Sequence, residues 1–208
     1  MLRFAQVSKT EALLTETERK IRERLGARSI VLVGMPGCGK SAIGRRLAPR
    51  LDLPFVDADE EIERAAGKPI TEIFADHGEA YFRDGERRVI ARLLNAGPQV
   101  LATGGGALMS AETRENVRRS GISVWVKADL PILVRRVSKR STRPLFQGRD
   151  TETVMKELMA ARHPIFAASD VTVDSRDVQH EAIVAEIIEA LAHCPALAEK
   201  PAATGEAS

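Results

Sequence analysis

Short apolar, β-branched runs recur along the chain at Ser29–Val33, Pro54–Val56, Val100–Thr103, Ile122–Val126 and Val171–Val173, separated by longer stretches of helical spacing. Four of the five runs lack the in/out alternation of a half-exposed sheet. Such runs suit strands buried on both faces, and their alternation with helices predicts an α/β fold with helices covering both sides of a parallel sheet. The ends of the chain differ. From about Ser8 to Leu25 the sequence is polar with scattered apolar residues (Leu13, Leu14, Ile21, Leu25) and stops at Gly26, which predicts an amphipathic helix ahead of the domain proper. After residue 194 it is rich in Ala, Pro, Gly and Ser with little to bury, which predicts a disordered tail. The expected organisation is a helical extension over 1–27, one domain over 28–193 and a tail over 194–208.

One internal segment, about 140–150, carries no periodic pattern and separates two helical stretches. In a compact α/β domain such a loop is expected to be a mobile lid.

Composition narrows the partners. Lys and Arg number 31 against 29 Asp and Glu, so neither a basic nucleic-acid surface nor an acidic tail is indicated, and no nucleic-acid partner is expected. No apolar run approaches the length of a membrane span, and the opening MLRFAQVSKTEALL lacks the apolar core and cleavage site of a secretory signal. Of the two cysteines, Cys38 and Cys194, the first lies in a glycine-rich loop that a structural disulfide would obstruct. A cytoplasmic, monomeric protein without a membrane partner is the expectation.

The chemistry starts directly after the first apolar run, with Gly34-Met35-Pro36-Gly37-Cys38-Gly39-Lys40-Ser41 and then a helical stretch, Ala42–Leu51. This is the Walker A pattern in a strand-loop-helix setting. Its glycines let the backbone curl so that N–H groups point at phosphate oxygens; Lys40 is placed to reach the β- and γ-phosphates of ATP, and the Ser41 hydroxyl to ligate Mg²⁺. Gly37, Cys38, Gly39, Lys40, Ser41 and Ala42 are therefore the candidate ATP-binding loop. The pattern does not name the acceptor, since switches, motors and kinases share it.

At the end of the second run stands Asp57-Ala58-Asp59. Ligands of open parallel sheets bind at the carboxyl ends of the strands, so both carboxylates are expected in the phosphate crevice, Asp57 holding Mg²⁺ or its waters and Asp59 orienting the attacking hydroxyl. A plain alternative is that Asp59 caps the helix that follows. Further on come Phe82-Arg83-Asp84-Gly85-Glu86 and Thr103-Gly104-Gly105-Gly106. Three glycines in a row after a buried strand suit the wall of an acceptor pocket, where backbone and ligand approach closely. Arg83, with Arg87 and Arg88 nearby, could equally belong to a solvated helix face.

With Arg143-Pro144-Leu145 and Arg162-His163-Pro164-Ile165-Phe166 added, these motifs resemble those of the shikimate kinase family in order and spacing, over about residues 28 to 180. The resemblance implies a P-loop, nucleoside monophosphate kinase-like three-layer fold, with a five-stranded parallel sheet flanked by helices and a mobile lid. It implies ATP and shikimate as substrates, shikimate 3-phosphate and ADP as products, Mg²⁺ as cofactor, and a place in aromatic amino acid biosynthesis. Carried over residue by residue, Asp59 binds a ring hydroxyl, Arg83 and Arg162 hold the substrate carboxylate, Gly104, Gly105 and Gly106 line the acceptor site, and Glu86 supports the arginine or a hydroxyl. Phe74 and Phe82 resemble aromatic residues beside the ring. Arg143 in the lid would stabilise the departing phosphoryl group, and Arg136 would pack on the adenine, although Arg135, Arg136, Lys139 and Arg140 also make an ordinary basic helix end. Phe166 stands where the family often has tyrosine, and the roughly 27-residue extension is not needed by its compact members. Competing readings are a gluconate kinase, which explains the paired arginines and triple glycine less well; a nucleotide kinase, which needs a second base pocket; and a nucleotide-operated binding module with a protein partner.

Overall fold

The computed structural model describes residues 14–139 and 149–198. In chain order these form α1 (Glu16–Leu25), β1 (Ser29–Val33), α2 (Lys40–Arg50), β2 (Phe55–Asp57), α3 (Ala58–Ala66), α4 (Ile70–Asn95), β3 (Val100–Ala102), a 3₁₀ turn (Ala107–Met109), α5 (Ala111–Ser120), β4 (Gly121–Lys127), α6 (Leu130–Ser138), α7 (Thr151–Phe166), β5 (Val171–Asp174), α8 (His180–Ala192) and a short α9 (Pro195–Ala198). The five strands make one parallel sheet in the order β2-β3-β1-β4-β5. This is the expected three-layer P-loop architecture. All five runs became strands, because runs apolar on both sides can satisfy their backbone only in a ladder and their side chains only under helices.

β1 is buried at every position and sits at the centre, whereas the edge strand β5 alternates buried and exposed residues. The order matters for function. β1 and β3 are neighbours, and β1 and β4 lie on opposite sides of the point where the strand order reverses, so the loop after β1 opens into the crevice where ligands of such sheets bind.

The two ends depart from the sequence reading. Of the helix expected from about Ser8, the described part starts at Glu16, and residues up to 13 lie outside the described ones. Thr15 and Glu18 form a reciprocal capping box, Glu18 N donating to Thr15 Oγ1 at 3.3 Å and Thr15 N to Glu18 Oε2 at 2.8 Å, which stops the helix there. Far from standing ahead of the domain, α1 sends Ile21 and Leu25 into the main core, and the buried Glu18 accepts a 2.5 Å bond from Arg50 on α2. The expected tail from 194 is likewise corrected at its start. Leu197 on α9 is buried and Arg28 Nη1 donates to Ala196 O at 2.7 Å, so residues up to 198 belong to the packed body. Cys194, Ala196 and Leu197 pack on the main core there.

The expected lid falls almost wholly outside the described residues, and Arg143 with it. Of its last residues, Asp150 is spoken for: its carboxylate accepts from Thr153 N at 2.8 Å and caps α7.

Candidate active site

The loop between β1 and α2 is built as the sequence requires. Gly37 and Gly39 adopt φ of 88° and 103°, which side chains rarely tolerate, and α2 begins at Lys40, two residues before the expected start. That places the N-terminal N–H groups of α2 and its positive end at the mouth of the crevice. Lys40 is nearly buried; its ammonium donates to Gly34 O at 2.9 Å and Met35 O at 3.1 Å and lies 3.6 Å from Cys38 Sγ. The charge is thereby fixed against the loop's own backbone. A cleft of about 440 Å³ opens there, lined by the loop, Asp57, Asp59, Arg136, Lys139 and His180.

Arg136 on α6 turns back over this loop. Its Nη1 donates to Ser175 Oγ at 3.0 Å and, more weakly, to the carbonyls of Gly37 and Cys38 at 3.5 and 3.4 Å. The residue is therefore a brace between the phosphate loop and the β5–α8 connection, not merely a cation at a helix end. His180, which lines the cleft, and Ser175, which holds Arg136, escaped the sequence reading because they come from the far end of the chain and no local pattern marks them.

The Asp57-Ala58-Asp59 motif divides its work differently from the plain alternative. It is Asp57, not Asp59, that caps α3: Asp57 Oδ1 accepts from Asp59 N at 3.0 Å. The other oxygen, Oδ2, takes the Ser41 hydroxyl at 2.5 Å. A hydroxyl and a carboxylate in contact are the hard oxygen donors that Mg²⁺ prefers, and Mg²⁺ commonly takes few protein ligands and fills the rest from water and phosphate. The pair Ser41 and Asp57 fits that ion.

A second cleft of about 880 Å³ shares Pro36, Ser41, Asp57 and Asp59 with the first and reaches past Phe74 and Phe82 to Arg83, Glu86, the glycine triplet and Arg162. The helix carrying Arg83 breaks at Gly78 (φ 78°, ψ 178°), and the segment after the break aims Arg83 and Glu86 inward. Arg83 Nη1 donates to Glu86 Oε2 at 2.7 Å. Arg162 comes from α7 on the opposite side, is buried, and donates to Gly105 O at 2.9 Å. The glycines are needed for space. A Cβ on Gly104 would strike Glu86 Oε1 and come within 3.2 Å of Asp59 Oδ1; on Gly105 it would lie 2.8 Å from the Pro36 ring; on Gly106, 2.8 Å from both terminal nitrogens of Arg83. Two arginines and two carboxylates thus converge on one stretch of bare backbone.

The charges in this cleft are unevenly balanced. Burial pushes the Glu86 carboxyl above its ordinary value despite Arg83, and the neighbouring Asp59 adds to the rise. Burial also works against Arg83, but Glu86 and Glu79 more than offset it. Arg162 is lowered, by burial first and then by Arg83. Glu86 Oε1 is buried against Gly104 without a hydrogen-bond partner among the described residues.

Phe74 and Phe82 stack with ring centroids 4.7 Å apart; they form a small core with Ile62 and Ile73 and one wall of the cleft at once. Phe166 is buried in the main core, its ring centroid 6.0 Å from that of Trp125. Glu79, bonded to Arg83 from the open side, was not singled out from the sequence, although its place four residues before an arginine on a helix was the available signal.

A Walker A loop and an arginine-lined cleft that meet at Pro36, Ser41, Asp57 and Asp59 are an arrangement suited to moving a phosphoryl group from one to the other. The class is that of the P-loop small-molecule kinases, ATP-dependent phosphotransferases. Within it, the chain belongs to the shikimate kinase family, whose sequence model, described as "Shikimate kinase", matches residues 36–192. It is 57% identical to the shikimate kinase of Bradyrhizobium diazoefficiens over 89% of this chain and 91% of that one. To the shikimate kinase of Caulobacter vibrioides it is 55% identical, over 80% and 84%. Among solved structures, the shikimate kinase of Acinetobacter baumannii in complex with shikimate superposes with a TM-score of 0.77 at 32% identity, covering 81% of this chain and 95% of that one. A gluconokinase from Sinorhizobium meliloti, at 23% identity and a TM-score of 0.54 over 80% and 93%, shares the fold.

Proposed function

We propose that the chain transfers the γ-phosphoryl group of ATP to the 3-hydroxyl of shikimate, giving shikimate 3-phosphate and ADP for the synthesis of aromatic amino acids. The observation that carries this reading is the convergence of Arg83, Arg162 and Asp59 on the Gly104–Gly106 backbone beside the phosphate loop. Arginine grips a carboxylate by paired hydrogen bonds and stays charged where water is excluded, so two of them favour an anionic acceptor. A neutral polyol would offer neither of them a negative charge.

In this reading Asp59 orients the attacking hydroxyl and takes its proton late, because a loose transition state asks for alignment more than for a strong base. Lys40 and the amides at the start of α2 bind the β- and γ-phosphates, and Arg136 borders the nucleotide. Ser41 and Asp57 would hold Mg²⁺, which when bound neutralises charge on the phosphates. Arg143 is assigned by resemblance to the charge of the departing group. The two free thiols, one inside the phosphate loop, support a reducing, cytoplasmic setting. Among the described residues no helix is long and apolar enough to cross a membrane.

The test is ADP release with ATP and Mg²⁺ against shikimate, gluconate and nucleoside monophosphates in parallel. Turnover with shikimate alone is expected; equal turnover with gluconate would overturn the assignment of the acceptor.

A further inference from the structure

The Arg83 guanidinium is held on two sides. From the buried side Glu86 Oε2 takes Nη1; from the open side a single oxygen of Glu79 takes both Nε at 3.2 Å and Nη2 at 3.1 Å. The Nε–Nη2 edge is one of those by which arginine grips a carboxylate in two-pronged fashion. Here the chain's own carboxylate fills it. Glu79 follows the break at Gly78, and it borders the part of the cleft that Arg83, Gly106 and Arg162 also line.

The two glutamates are not equivalent. The Glu86 side chain is 3% exposed and that of Glu79 59%. An exposed pair four residues apart on a helix contributes about 0.3–0.5 kcal/mol, whereas removing one partner of a buried pair strands a charge. Glu86 is thus the permanent anchor and Glu79 the partner that can be displaced. Glu79 also faces Arg162, whose charge it favours while Arg83 opposes it.

We propose that Glu79 is an internal competitor for the acceptor's carboxylate, occupying the gripping edge of Arg83 and yielding it only to an anion. An anionic acceptor replaces like with like, while a neutral alcohol has nothing to exchange and leaves the edge filled, so Glu79 acts as a filter on acceptor charge. This inference rests on the reading that Arg83 holds that carboxylate.

Glu79→Gln keeps length and hydrogen-bonding capacity and removes the charge. Its KM for shikimate is expected to fall about twofold at low ionic strength, the fold-change equivalent to ~0.3–0.5 kcal/mol. The effect should lie in KM rather than kcat, should appear as the same fall in Kd for shikimate by titration calorimetry, and should shrink as salt is raised. An unchanged or raised KM and Kd would overturn the proposal, leaving Glu79 a bystander or a support for Arg83. Arg83→Lys, measured alongside, separates the two failures. If it leaves KM for shikimate unmoved, the carboxylate reading itself falls; if it raises KM while Glu79→Gln does not lower it, only the competitor role falls.

Discussion

Ser41 Oγ donates to Asp57 Oδ2 at 2.5 Å, tying the first turn of α2 to the end of β2. The same carboxylate caps α3 through its other oxygen, so one side chain holds both the Ser41 hydroxyl and the start of the helix that carries Asp59. Asparagine caps about as well as aspartate but brings no charge. Asp57→Asn is therefore expected to raise the Mg²⁺ concentration giving half-maximal ADP release by about tenfold, the equivalent of ~1.4 kcal/mol, with little change in melting temperature. A Mg²⁺ titration beside a thermal melt checks both halves.

Asp59 and Arg83 should fail in different kinetic constants. Positioned proton transfer contributes about 10²–10⁴ to rate, so Asp59→Asn is expected to lower kcat within that range while ATP binding stays close to wild type. Arg83→Lys replaces a two-pronged grip by a point charge and is expected to raise the KM for shikimate about tenfold. Steady-state kinetics in both substrates, with ATP affinity measured directly, would expose the reverse pattern.

Gly106 has an ordinary backbone, φ −109°, so alanine fits the chain there but places its methyl 2.8 Å from both Arg83 terminal nitrogens. The guanidinium must then swing aside. Gly106→Ala is expected to raise the KM for shikimate several-fold, leaving the KM for ATP and the melting temperature near wild type. A loss confined to ATP binding would contradict the placement of Arg83.

The raised carboxyl of Glu86 has a consequence for stability. Its proton is bound more tightly in the folded than in the unfolded chain, so its contribution is full below the ordinary carboxyl value of 4.5 and is lost as pH rises through the higher folded value. Glu86→Gln is expected to remove that decline, flattening the profile above pH 4.5. Urea unfolding of both proteins across mildly acidic to neutral pH measures the difference, and parallel profiles would show that Glu86 does not titrate in this way.

Strand positions and the phosphate loop were legible because their causes are local. An apolar β-branched run such as Ser29–Val33 has few alternatives to a buried strand, and glycines at positive φ before a helix leave few alternatives to an anion-binding turn. The ends were less legible. Leu25 and Leu197 lie in polar or small-residue surroundings and become core only because α1, α8 and α9 cover one another. Their burial belongs to tertiary packing and has no periodic trace long enough to read.

The chain's order of residues by itself determined which chemistry is present: a loop for phosphates, acids at a strand end, arginines for an anion, glycines that clear a space. Tertiary structure decided how those groups divide the work. That Asp57 caps α3 while Asp59 approaches Gly104, that Glu86 is sealed in while Glu79 stays open to water, and that Arg162 meets Gly105 across 57 residues depend on which surfaces the helices bury. Hydrogen bonds and desolvation act through distance in space, and that distance is fixed only when the sheet closes under its helices.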